Sequence, residues 1–161
     1  DRQRWAEQIG VNRVFDINQP DELAELHTLL CPNEQYGGAD LIIEVSGSPE
    51  ALNLAIDLCG YAGRILVGSW YGTKRAAINL GERFHRNRMQ IVSTQVSSIA
   101  PENSGRWDPG RRFEVAWEMI RRCQPEQFIS HRFSLASAGQ AYELLDKNAS
   151  EALQVVFDYD S

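Results

Sequence analysis

The stretch Gly38-Ala39-Asp40-Leu41-Ile42-Ile43-Glu44-Val45-Ser46-Gly47-Ser48-Pro49-Glu50, followed by Gly60-Tyr61-Ala62-Gly63-Arg64-Ile65-Leu66-Val67-Gly68-Ser69, decides the fold. Two runs rich in Ile, Val and Leu each end in a small-residue turn and flank one helix-length segment. Strands buried on both faces read as continuous apolar runs, not as alternations. Parallel neighbours need a crossover of about a dozen residues, usually a helix. The pattern therefore predicts parallel strands over residues 41–45 and 64–68. Ligands of such open sheets bind outside the carboxyl ends of the strands. Val45-Ser46-Gly47 and Val67-Gly68-Ser69 sit at those ends, forming half of a nucleotide-binding crevice.

Between the two strands, Ser48 reads as an N-cap, Pro49 as the first helical residue and Glu50 as a charge suited to the positive helix end. Leu52, Ile56 and Cys59 form the buried stripe and Gly60 the stop. Upstream, Trp5, Ala6 and Ile9 recur at helical spacing, with Gly10 as a left-handed cap. Residues 13–17 read as a strand, and Pro20-Asp21 opens a helix with Leu23, Leu26 and Leu30 on one face. Downstream, short strands are predicted at 76–80 and, with a better pattern, 89–96. A polar loop follows over 97–110. Phe113, Trp117, Met119 and Ile120 mark an amphipathic helix ending near Cys123. The tail reads as a strand over 129–133, a helix over 136–146 with Ala141, Leu144 and Leu145 inward, and a strand over 153–159.

A chain of 161 residues fits one domain, or one and a fraction. Its net charge of −6 argues against nucleic acid as the main partner, since backbone binding needs a cationic surface. One basic island interrupts that balance: Lys74 to Arg88 holds five Lys or Arg, His85 and the single acid Glu82, which reads as a solvated face or an anion contact. No apolar run approaches the ~18 residues of a membrane span, and no signal peptide is visible, so no membrane partner is expected. Cys31, Cys59 and Cys123 are odd in number and widely spaced, which points to reduced thiols and a cytoplasmic location. The first residue, Asp1, falls inside a helical pattern, so the chain reads as a fragment.

Glycine at a strand end lets a ligand approach the backbone closely, because no Cβ intervenes. The alternative is that Gly47 and Gly68 only relieve tight turns. Their equivalent places on successive parallel strands favour the ligand. A phosphate-binding Gly-x-Gly-x-x-Gly is absent, and Gly60-x-x-Gly63 lies at the wrong edge of the sheet to replace it. The cysteines and His27, His85 and His131 never reach metal-ligand spacing, so no metal ligands are assigned. No Gly-x-Ser-x-Gly elbow suggests hydrolase chemistry, and no catalytic residue is assigned. Trp70 and Tyr71 follow the second strand end, where they either pack in the core or overhang the crevice.

Taken in order, these pieces resemble the C-terminal part of the zinc-type medium-chain alcohol dehydrogenases. Arg4-Trp5-Ala6-Glu7-Gln8-Ile9-Gly10-Val11 is similar to the family's R-x-x-A-x-x-x-G-A helix end. Residues 38–47 are similar to its G-A-D-x-x-x-E-x-x-G. Gly63-Arg64-Ile65-Leu66-Val67-Gly68, Ile129-Ser130-His131-Arg132-Phe133, the helix around Ala138 and Ala141-Tyr142-Glu143-Leu144-Leu145, and Leu153-Gln154-Val155-Val156 follow in the family's order.

The resemblance implies an α/β fold: an incomplete doubly wound, Rossmann-type parallel sheet lacking its first strands, plus a C-terminal α/β tail of the catalytic domain. Residues 1–92 would be the partial dinucleotide-binding domain and 93–161 the catalytic portion. It implies NAD or NADP as cofactor, zinc in a missing N-terminal domain, a small alcohol or carbonyl substrate, and a homo-oligomer in the full-length protein. Carried over residue by residue, Val45, Ser46 and Gly47 lie on the adenosine and nicotinamide-ribose side, and Val67, Gly68 and Ser69 under the nicotinamide. Val92 and Ser93 close its far end, although Ser93-Thr94 departs from the Gly-Ser usual there. A zinc-free quinone or enoyl-type reductase of the same superfamily, or a non-catalytic nucleotide-binding module, are the other readings. The isolated fragment is expected to be inactive.

Overall fold

The computed structural model describes residues 2–32 and 36–159. Residues 15–101 form one compact unit, and the described residues on either side of them form a second.

Helix α1 (Arg2–Gln8) belongs to the second unit, and the first begins with helix α2 (Pro20–Leu30). Pro20 opens it, Asp21 and Glu22 face the positive helix end, and Leu23, Leu26 and Leu30 are half-buried, as their spacing predicts. Then come β1 (Ala39–Glu44), α3 (Ala51–Leu58), β2 (Cys59–Val67), the single turn α4 (Arg83–Arg86) and β3 (Gln90–Ser93). The strands form a parallel sheet in the order β1-β2-β3. Its core is Ala55, Ile56, Cys59, Ile65 and Met89, with Ile42, Leu52, Ile78, Phe84 and Ile91 packed around them. Ile56 and Ile65 are almost wholly enclosed, and each such side chain contributes about 1.5–3 kcal/mol by leaving water.

Several elements differ from the sequence reading, each for a local reason. Residues 13–17 form no ladder with a described strand. Asp16 instead makes an Asx turn, its carboxylate accepting from the Asn18 N–H (3.0 Å) and side-chain amide (2.9 Å). Its own N–H donates to Glu22 Oε2 at 2.6 Å. Residues 76–80 form no strand either. There the Asn53 side chain takes the place of a neighbouring strand, donating to Ala77 O and accepting from Asn79 N–H, both at 2.9 Å.

Helix α3 starts later than predicted, at Ala51. Ser48 Oγ donates to Glu50 Oε2 (2.5 Å) and caps no N–H, so residues 49–50 remain a turn. Cys59 is fully buried, yet it opens β2 and does not close the helix, so Gly60 lies in a strand. On β1, Ile42 and Glu44 point inward while Leu41 and Ile43 are exposed, so one face of the strand is covered and not both.

In the second unit, α1 (Arg2–Gln8) ends at Gly10, whose φ of +84° is the left-handed cap that its position predicts. Helix α5 (Pro109–Cys123) begins inside the segment read as loop. Asp108 accepts from the Arg111 N–H at 2.9 Å, and Pro109 occupies the first turn. Strands β4 (Ile129–Ser134) and β5 (Gln154–Asp158) pair in parallel, joined by α6 (Ala138–Lys147). Ala141 is buried and Leu144 half-buried, but Leu145 is exposed. Two strands about 5 Å apart cover only one stripe of a helix.

Candidate functional site

Register brings the carboxyl ends of the three-stranded sheet level. Glu44 lies beside Val67, and Val67 beside Ser93. The pairing continues one residue past the strands: Gly68 N–H donates to Glu44 O at 2.8 Å, and Thr94 N–H to Val67 O at 3.0 Å. Val45-Ser46-Gly47, Val67-Gly68-Ser69 and Val92-Ser93 are thereby gathered on one rim, in a row set by the sheet.

The two glycines of that rim have different reasons. Gly47 adopts φ +75°, and a Cβ there would meet nothing within 4 Å, so the turn needs glycine for its backbone angle and leaves open space beside it. A Cβ on Gly68 would lie 3.0 Å from Val45 Cγ1, so the chain itself comes close at that point. Val45 is 72% exposed, a branched apolar side chain standing on the rim. A groove of about 310 Å³ runs from there along β1, between Ile42, Ile43 and Ser46 on one side and Ala51, Leu54 and Leu58 of α3 on the other.

The centre of the rim is Glu44, to which no sequence motif assigns a role. Glu44 is 5% exposed. Its Oε1 accepts from the Ser46 N–H and Ser46 Oγ, both at 2.6 Å, and its Oε2 accepts from the Tyr71 hydroxyl. Burial pushes its carboxyl up, but the hydrogen bonds from Ser46, Tyr71 and Ser69 outweigh that and hold it at about 2. Burial, followed by the bond to Glu44 and the carboxylate's charge, drives the Tyr71 phenol up to about 12. At neutral pH the pair is therefore a carboxylate accepting from a neutral phenol. The available signal was an acidic residue closing an apolar strand, a place where an unpaired charge would be costly.

Two more bonds tie the same segments together. Gly47 N–H donates to Ser69 Oγ, and Lys74 Nζ donates to Gly47 O, each at 2.8 Å. The basic island is thus divided: Lys74 serves the rim, while Arg83 Nη2 donates to Gly37 O (3.2 Å) and Cys59 O (3.0 Å) near the amino ends of the strands. Trp70 is 89% exposed, which excludes the core-packing reading, and Tyr71 is half-buried.

Gly60 and Gly63 lie toward the amino end of β2, away from the rim. A Cβ on Gly63 would sit 2.6 Å from Cys59 Sγ. Among the described residues, no three His, Cys, Asp or Glu side chains gather to hold a metal ion, so these residues do not fit a zinc site. No helix among them is long and apolar enough to cross a membrane.

The chain is 27% identical over 121 residues to D-guloside 3-dehydrogenase of Escherichia coli K12, a match covering 73% of this chain and 35% of that protein. It superposes with a TM-score of 0.75 on an alcohol dehydrogenase from Thermotoga maritima, at 22% identity over 96% of this chain and 39% of that one. A short chain alcohol dehydrogenase from E. coli CFT073, solved with the cofactor NADH, gives a TM-score of 0.74 at 18% identity, covering 98% and 42%. The chain therefore spans between about a third and two fifths of the length of these relatives. These superpositions identify the fold as the Rossmann-type α/β arrangement of that group. The family profile for zinc-binding dehydrogenases matches residues 1–108, two thirds of the sequence, and the chain belongs to that family.

Proposed function

We propose that this chain is the C-terminal portion of an NAD(P)-dependent, zinc-dependent alcohol dehydrogenase, and that its sheet rim holds the nicotinamide end of the cofactor. The observation that carries the reading is the level row of carboxyl strand ends, Glu44 beside Val67 beside Ser93, with an open turn at Gly47. Ligands of parallel sheets occupy that edge. A bound nicotinamide accepts or gives up the hydride.

The chain's own part is to position it. Val45, Ser46 and Gly47 take the ribose side, Val67, Gly68 and Ser69 lie beneath the ring, and Val92 with Ser93 closes the end. Residues 1–92 act as the partial dinucleotide-binding domain and 93–161 as the remainder of the catalytic domain. A zinc site, which these residues do not form, would lie in chain outside them. A small alcohol or carbonyl is the substrate, the full-length protein is a homo-oligomer, and three free cysteines accord with a cytoplasmic location.

The test is hydride transfer by the polypeptide translated from the complete reading frame, assayed with NAD and NADP on a panel of alcohols and polyols. The expected result is turnover that a zinc chelator abolishes, with none from residues 1–161 alone. Turnover by residues 1–161 alone, or a complete polypeptide that neither binds nor reduces either nucleotide, overturns the reading.

A further inference from the structure

The segment after β2 reaches back over the turn after β1 at three points. Ser69 Oγ accepts the Gly47 N–H, Lys74 Nζ donates to Gly47 O, and between them the Tyr71 hydroxyl donates to the buried Glu44. Both backbone polar groups of Gly47 are thus occupied by one six-residue span beyond Gly68, Ser69 to Lys74. The Lys74 bond lies at the protein surface and the Ser69 bond is partly buried. The Tyr71–Glu44 bond is different, because its acceptor is a charged group with almost no access to water. Hydrogen bonds to ionised groups contribute about twice what neutral ones do, and a buried carboxylate left short of a donor is costly.

We propose that Tyr71 is a positioning residue for the cofactor rim. Its hydroxyl, donating to Glu44, closes the 69–74 segment as a clasp over the Ser46–Gly47 turn. The clasp sets the spacing between the two strand-end turns before a ligand arrives. The inference rests on the reading of this rim as the nicotinamide-binding edge. With the bond in place, a nucleotide meets an ordered rim and little entropy is lost on binding. Without it, the segment carrying Trp70 and Lys74 opens and must be ordered by the ligand itself. Tyr71 touches neither substrate nor cofactor in this role. It acts through Glu44 and Gly47.

The test has two arms. In residues 1–161, trypsin cleavage after Lys74 and Arg75 reports opening of the clasp without reference to any cofactor. Tyr71→Phe keeps the ring and removes the donor, and is expected to speed that cleavage about tenfold, the equivalent of one lost charge-assisted hydrogen bond. Glu44→Gln keeps a bond but removes the charge, its carbonyl accepting from the Ser46 N–H while its amide donates to the Tyr71 oxygen, so cleavage is expected to speed up less than in Tyr71→Phe. In the complete polypeptide, Tyr71→Phe is expected to raise the NADH or NADPH dissociation constant severalfold while the thermal unfolding midpoint stays within a few degrees.

Equal cleavage rates for wild type and Tyr71→Phe overturn the clasp. Faster cleavage with unchanged nucleotide affinity overturns the positioning role while leaving the rim assignment standing. A wild-type complete polypeptide that binds neither nucleotide overturns the rim assignment instead, and cleavage rates still decide the clasp.

Discussion

Gly38 and Gly60 lie backbone against backbone. A Cβ built on Gly38 would sit 2.4 Å from Gly60 N, and one on Gly60 would sit 2.9 Å from Gly38 O. Gly38 also holds φ at +142°, a backbone angle that L side chains rarely adopt. The contact seats the entry of β1 against the start of β2, ahead of the register shift between Ala39 and Leu41 after which the two strands pair regularly. Neither neighbour is a flexible side chain, so neither can yield cheaply.

Gly38→Ala is therefore expected to destabilise the fold by about 3 kcal/mol or more, in the range reserved for backbone clash and strained φ. Urea unfolding followed by circular dichroism measures it. A loss below ~1 kcal/mol would show that the two backbones can separate without cost.

Asn53 replaces a missing strand neighbour for residues 77 and 79. Asn53→Ala should cost about 1–2 kcal/mol for two surface hydrogen bonds and should speed amide exchange at Asn79 selectively. Unchanged exchange there would mean that water satisfies the segment equally well.

Acid should weaken the fold through Glu44 in a defined window. Its folded-state pKa, about 2, lies below the unfolded value of 4.5. Its stabilising contribution is present in full above pH 4.5 and is lost as pH falls from there through 2. The difference in urea midpoint between wild type and Glu44→Gln should accordingly stay flat from pH 7 to 5 and shrink below that. A difference that already changes between pH 7 and 5 would contradict the depressed pKa.

Gly68→Val places a branched side chain where even a Cβ meets Val45 Cγ1 at 3.0 Å. In the complete polypeptide it should weaken NADH or NADPH binding about tenfold or more by disturbing the rim, with Gly68→Ala milder because the exposed Val45 can turn outward. Fluorescence titration measures both. Unchanged affinity for the two nucleotides would make Gly68 a turn residue only.

The sequence by itself determined the parallel β1-α3-β2 unit, since a continuous apolar run closed by a small-residue turn has few other uses. It also determined the left-handed end of α1 at Gly10, the half-buried stripe of α2, and the presence of β3, β4 and β5. Those signals are local: a period, a cap or a breaker is legible in a dozen residues.

Tertiary structure alone decided whether an extended stretch becomes a strand. Residues 13–17 and 76–80 carry strand-like patterns, but a strand exists only when a neighbour supplies its hydrogen bonds. Here the Glu22 and Asn53 side chains supply some of them instead. It also decided the chemistry of the rim. Glu44 and Tyr71 are 27 residues apart, and nothing in either neighbourhood announces the other. Their bond arises because β1 and β2 end level and the chain after β2 folds back, which buries the carboxylate and makes the phenol its partner.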